Sequence, residues 1–313
     1  MRRALNLATA LIVAGTLCSA RDLAFVTCQT GDAVSVLDIT AGEEIARWSV
    51  PGKPAGIAVS ETAVFTVAAD SKTVRKHDLL SGEPLVSVQL DGGPIGLTHD
   101  TARGHLFVSD WYNARIWVLD DTSLQVVAEL AVGAAPAGLA LSDDGRYLAS
   151  ADRDADQVSI FDAETLRLRT RLEAGSRPFG LRFAPDGRLF VGNVGSNDVT
   201  VIDALNSEVL AAVPVGARPY GVAFAGGRAF VTNQYEDSLS VIDLATLEPM
   251  AKLETGEYPE GVDATADGTR IVVANWFDNT VTIFDAESLS VIEEIDTCDG
   301  PRAFGTFLLE EAE

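Results

Sequence analysis

Residues 230–243 read FVTNQYEDSLSVID, and four further stretches are variations on them. FVGNVGSNDVTVID starts at Phe190, VVANWFDNTVTIFD at Val272, FVSDWYNARIWVLD at Phe107 and FVTCQTGDAVSVLD at Phe25. Each is a short apolar run, a polar loop and an alternating run that stops at Asp. Alternation with a period of two, bounded by Asn, Asp and Gly, predicts two antiparallel strands joined by a loop.

Working outward, Asp38, Asp78, Asp120, Asp162, Asp203, Asp243 and Asp285 end the alternating runs at intervals of 40, 42, 42, 41, 40 and 42 residues. Pro54, Pro94, Pro136, Pro178, Pro219, Pro259 and Pro301 repeat with the same intervals. Two separate markers with one period define an internal repeat. In the unit from Pro178 to Gly216, PFGLRFA reads as a first strand and Pro185-Asp186-Gly187 as a tight turn. Leu189–Asn193, Asp198–Asp203 and Glu208–Val215 read as three more strands. Four antiparallel strands in about 42 residues make a propeller blade. The terminal aspartates are expected to cap the turns that follow them. Residues 23–28 begin at the second strand of a blade, and Pro301–Leu308 form a first strand without successors. Ring closure satisfies both, since the last strand then completes the first blade and removes open edges. The expectation is an all-β, seven-bladed β-propeller, four antiparallel strands per blade, in one domain from 21 to 313.

Residues 1–20 read as a signal peptide. Arg2 and Arg3 precede an apolar run from Ala4 to Leu17 that is too short to span a bilayer, and Cys18-Ser19-Ala20 offers a cleavage site. Lipidation of Cys18 is the alternative. A periplasmic location follows, with no membrane insertion after cleavage. Formal net charge is −23, from 46 acidic and 23 basic residues. That balance disfavours nucleic acid and anionic membranes as partners.

The repeat resembles the YVTN family of β-propellers. FVTN at 230–233 with LSVID at 239–243, VVAN at 272–275 with VTIFD at 281–285, and FVGN at 190–193 with VTVID at 199–203 carry the resemblance. It departs in the first four blades, where Cys28, Ala68, Asp110 and Asp152 hold the Asn position. Such proteins are commonly exported, and related propellers occur in haem d1 nitrite reductase and methylamine dehydrogenase. The resemblance therefore implies a fold and leaves function open.

No phosphate loop, serine elbow, zinc or c-type haem motif occurs in the sequence. No cofactor, catalytic residue or metal ligand is assigned. His77, His99 and His105 fall at strand ends away from the variable loops, and a His99–His105 metal site has no support. Cys28 and Cys298 are the two cysteines beyond residue 20. They end and precede neighbouring strands of the closing blade, so a disulfide is expected, with free thiols or a thiolate metal pair as alternatives. On the loop face, Arg177, Phe179, Arg218, Tyr220, Tyr258, Glu260 and Arg302 flank the repeat prolines. Asn193, Asn233, Tyr235, Asn275, Trp276 and Phe277 adjoin them, with Trp111 and Tyr112 opposite. Arginine and aromatics on one arc predict a site for an anionic small molecule or a protein partner. Alternatively, the arginines pair with Asp152, Glu236 and Glu260. The expected role is a monomeric binding module. The alternatives are an accessory subunit of a periplasmic quinoprotein or cytochrome system, and a propeller hydrolase or lyase.

Overall fold

The computed structural model describes residues 21–311, and the expected signal segment lies outside them. Among the described residues the elements are strands, apart from one 3-10 turn at Arg153–Ala155. Blade 5 is representative. Pro178–Phe183, Arg188–Asn193, Asp198–Asp203 and Glu208–Pro214 pair antiparallel in that order, from the channel outward. Blades 2 to 7 repeat this order, and blade 1 is composite.

The middle strands are apolar on both faces because each blade is packed between two others. Leu189, Val191 and Ile202 meet Val158 and Ile160 of blade 4. Phe190, Val199 and Val201 meet Val222, Val231 and Ile242 of blade 6. Burying each such side chain contributes about 1.5–3 kcal/mol. The outer strands have one free edge and alternate between exposed and half-buried residues.

The repeat motif builds the joints between blades. A Cβ on Gly180 would overlap the Tyr220 carbonyl oxygen, and one on Gly96 would overlap that of Ala137. Glycine therefore lets inner strands of adjacent blades touch. Thr232 Oγ1 accepts from Gly221 N (2.9 Å) and donates to Glu260 O (2.8 Å) of the next blade. Ser109 and Thr27 make the same bridge to Ala137 O (2.7 Å) and Ala55 O (2.8 Å). On the opposite face, Asp243 Oδ1 accepts from Ala245 N and Thr246 N (2.9 and 2.8 Å). Asp38, Asp78, Asp120, Asp162, Asp203 and Asp285 cap their turns in the same way, as expected. This side is called the turn face below.

The closing strand departs from the expected run of Pro301–Leu308. Pro301 bridges Cys28, as the repeat requires. Phe304–Thr306 then leaves blade 1 and pairs parallel with Pro54–Val59, the inner strand of blade 2. Leu308–Glu311 returns to pair antiparallel with Arg21–Ala24. The detour is allowed by positive φ at Ala303 (47°) and Gly305 (142°). Asp263 of blade 7 fixes the return, accepting from Phe307 N (2.9 Å) and Leu308 N (3.2 Å).

Cys28 and Cys298 form the expected disulfide, with Cα atoms 5.7 Å apart. Its place in the repeat is specific. In blades 5, 6 and 7, Asn193, Asn233 and Asn275 pack on Gly175, Gly216 and Gly256, each three residues before the repeat proline. Cys28 holds the asparagine position and Cys298 the glycine position, so a covalent bond replaces a packing contact.

Candidate functional site

Three residues per blade surround the mouth of the channel on the loop face. One precedes the repeat proline, one follows it, and one follows the second strand. The first set includes Arg177, Arg218 and Tyr258, all at left-handed φ (55°, 59° and 59°). Asp156, Asn197 and Asp237 side chains accept from their backbone N–H groups at 2.7, 2.9 and 2.9 Å. Lys53 and Ala135 share the conformation, so the strain belongs to the repeat.

The second set turns inward. Phe179, Tyr220 and Glu260 are buried, and Arg302 nearly so. Phe179 and Tyr220 rings lie 4.7 Å apart, and Phe304 from the detour lies 5.2 and 5.3 Å from them. Together they roof the channel. Arg302 donates from Nε and Nη2 to Tyr220 Oη (3.0 and 2.7 Å) and from Nη1 to Gln29 Oε1 (3.0 Å). Its Nε also lies 3.0 Å from Glu260 Oε2. Gln234 donates to Glu260 Oε1 (2.7 Å) and accepts from Arg218 Nε (2.6 Å). One carboxylate thus serves two guanidinium groups.

Burial pushes Glu260 above the ordinary carboxylate range, against the pull of Arg302 and Arg218. Burial works against the charge of Arg302, but Glu260 and Tyr220 hold its pKa above the ordinary value. Tyr220 is raised, mainly by burial. The arrangement keeps Arg302 cationic.

The surface part of the arc is aromatic. The Arg218 guanidinium lies 4.8 Å over the Tyr235 ring. Tyr235 contacts Tyr258 (5.8 Å), which contacts Trp276 (5.8 Å) and Phe277 (5.0 Å). Tyr235 is 62% and Phe277 57% exposed. Trp276 Nε1 is buried without a partner among the described residues. Arg177 is exposed.

The structure brings Arg218, Tyr235, Tyr258 and Trp276 together at the surface. It places Phe179, Tyr220, Glu260 and Arg302 beneath them. The expected alternative pairing holds for Arg302 with Glu260, whereas Glu236 pairs with Lys252 (2.7 Å). Asn193, Asn233 and Asn275 are fully buried and are not loop ligands. Each donates to side chains five and seven residues on, as Asn233 does to Ser238 (3.1 Å) and Ser240 (2.9 Å). Across the mouth, Trp111 lies 6.1 Å from Phe179 and under Arg153, with Tyr112 exposed beside it.

Gln29, Gln234 and Phe304 were not anticipated from the sequence. Gln29 and Gln234 stand where Trp111 and Trp276 stand in their own blades, and that equivalence was the available signal. His77 is buried between Thr66 and Gly82, and His99 pairs with Asp121 (2.8 Å). Among the described residues no cluster of His, Cys, Asp or Glu could hold a metal.

A closed ring of seven antiparallel blades defines an all-β, seven-bladed β-propeller. Residues 148–312 match the YNCE-like β-propeller family, and the chain belongs to that family. No curated protein matches it. Among solved structures, the Kuenenia stuttgartiensis hydrazine synthase is similar with a TM-score of 0.74 and 18% identity, over 84% of this chain and 91% of that one. Dihydro-heme d1 dehydrogenase NirN, solved in complex with DHE, is similar with a TM-score of 0.68 and 17% identity, over 93% of this chain and 75% of that one. At these identities the likeness is one of fold.

Proposed function

We propose that this protein is an exported YVTN-type propeller that works in the periplasm as a binding module. Its loop face, along the arc of blades 5 to 7, takes a partner that presents carboxylates. The observation that carries this reading is the continuous surface of Arg218, Tyr235, Tyr258, Trp276 and Phe277 on a chain of net charge −23. Arginine and large aromatics dominate binding hot spots, and guanidinium groups match carboxylates in geometry. Tyr235 and Phe277 stand more than half exposed, which suits a protein surface better than an enclosed small molecule. The disulfide supports an oxidising compartment.

The test is a photo-crosslinker placed in living cells at Tyr235 or at Leu85, an exposed position on an outer strand. A discrete adduct at Tyr235 that is absent at Leu85, and lost in Arg218→Ala/Trp276→Ala, is expected. Equal crosslinking at both positions, or an adduct unchanged by the double substitution, refutes the reading.

The solved neighbours favour a second reading, an accessory propeller that docks a redox subunit through the same face. One neighbour is named a dehydrogenase acting on a haem d1 compound, and the other a hydrazine synthase. A crosslinked species carrying haem or quinone absorbance selects this version.

A further inference from the structure

Beneath the exposed loop-face arc the channel forms a cavity of about 150 Å³, lined at its upper end by Tyr220, Glu260 and Phe304. Its upper end is closed by the buried rings of Phe179, Tyr220 and Phe304. Its lower end is open, because Gly305, Thr306 and Asp143 are exposed there. The inner strands of blades 3 to 7 are the last strands of their sheets, so their free backbone edges face the cavity. On the blade 2 side, Phe304–Thr306 covers that edge and takes its place on the wall.

One strong cation lines this space. Arg182 Nη1 lies 2.6 Å from Asp263 Oδ1, while Asp263 Oδ2 is taken by the N–H groups of Phe307 and Leu308. The Arg182 side chain keeps 27% exposure, and among the described residues it is paired through Nη1 alone. Between Arg182 and the roof the wall carries Leu139, Leu181, Val222 and Val262. The cavity thus carries Arg182 and Asp143 toward its open end, and at its closed end apolar side chains beside Glu260, whose carboxylate is engaged by Arg302 and Gln234.

We infer that the channel binds a small carboxylate with a short apolar or aromatic body, entering from the turn face and held by Arg182. The carboxylate meets the free Arg182 nitrogens in a charge-assisted contact, and the body lies under the aromatic roof. An engineered cavity of about 150 Å³ in another protein takes up benzene, which sets the size limit near a single ring. The exposed arc residues Arg218, Tyr235, Tyr258, Trp276 and Phe277 do not line this space, so a loop-face partner is not needed for it.

Isothermal titration of the purified chain with benzoate, benzyl alcohol and inorganic phosphate tests the inference. One benzoate per chain is expected, with benzyl alcohol at least ~10-fold weaker because it lacks the charge. Arg182→Gln weakens benzoate at least ~10-fold by the same argument. That change leaves Asp263 without its cation, so Thr306→Trp provides a second variant. It changes an exposed residue at the lower mouth and is expected to abolish benzoate binding while the thermal melt stays cooperative. No heat from benzoate, equal binding of benzyl alcohol, or phosphate binding as tight as benzoate overturns the inference. So does benzoate affinity unchanged in both variants.

Discussion

At the scale of single residues, the family-like signature reports architecture. Thr232 bridges two blades and Asn233 ties the end of one strand to the start of the next. The sequence showed that Asn recurs, but not that its side chain is buried on a glycine from a preceding loop. That contact joins residues far apart in the chain, and no local pattern encodes it. Replacing Asn275 with Ala removes bonds to Thr280 (3.0 Å) and Thr282 (2.8 Å). A loss of about 1–3 kcal/mol is expected in urea denaturation. Asp152 occupies the same position in blade 4 and behaves differently from Asp110 in blade 3. Burial works against both charges. Gly93, Asn113 and Arg115 hold Asp110 below the ordinary range, whereas Asp152 lies above its ordinary 3.8 because burial outweighs Ser159, Gln157, Ser150 and Gly133. A raised carboxyl favours the fold most below its unfolded value and loses that contribution as pH rises through the folded value. Asp152→Asn should therefore raise the melting temperature at pH 7, with the gain vanishing toward pH 3. A variant that melts below the parent at pH 7 contradicts this.

At the scale of elements, strands and turns were legible and the closing strand was only partly so. Alternation located the strands, and the seven aspartates located the turns. The turn carboxylates of Asp78, Asp120, Asp162, Asp203, Asp243 and Asp285 are lowered by the side-chain and backbone donors of the next residues. Their contribution is present above the unfolded value and is lost as pH falls through the lower folded values. Acid unfolding should thus steepen below about pH 4 and be shallower in a variant with several turns changed to Asn. The detour at Phe304–Thr306 was missed because it depends on the left-handed backbone at Ala303 and on the space at Gly305. A Cβ on Gly305 would overlap the Ile57 carbonyl oxygen. Gly305→Val is expected to cost about 1–3 kcal/mol in chemical denaturation, through overpacking and an unfavourable φ. An unchanged midpoint would show that the parallel pairing adds no stability.

At the scale of the whole molecule, the disulfide closes a ring whose ends are 270 residues apart. Cys28→Ser/Cys298→Ser is expected to lose about 2–5 kcal/mol. Cys28→Asn/Cys298→Gly recreates the contact of blades 5 to 7 and should recover part of that loss. If both double variants melt alike, the equivalence of the two positions is without energetic meaning. The ring and its seam were readable because repeat arithmetic left the N-terminal blade one strand short and one strand over at the C-terminal end. The site was readable only as a set of residue types on one arc. Which of them lie at the surface and which beneath follows from the inward turn after each proline, and from Phe304 filling the mouth.

The seam also fixes how the molecule is held. Arg21 pairs with Glu311 on the turn face, so the polypeptide enters and leaves the ring side by side. Anything attached at either end, whether an anchor, a tag or a fused protein, therefore tethers the propeller by its underside. The arginine and aromatic arc then points away from the attachment, like the dial of a mounted instrument. The channel opening would face the tether, and a bulky attachment there would shade it.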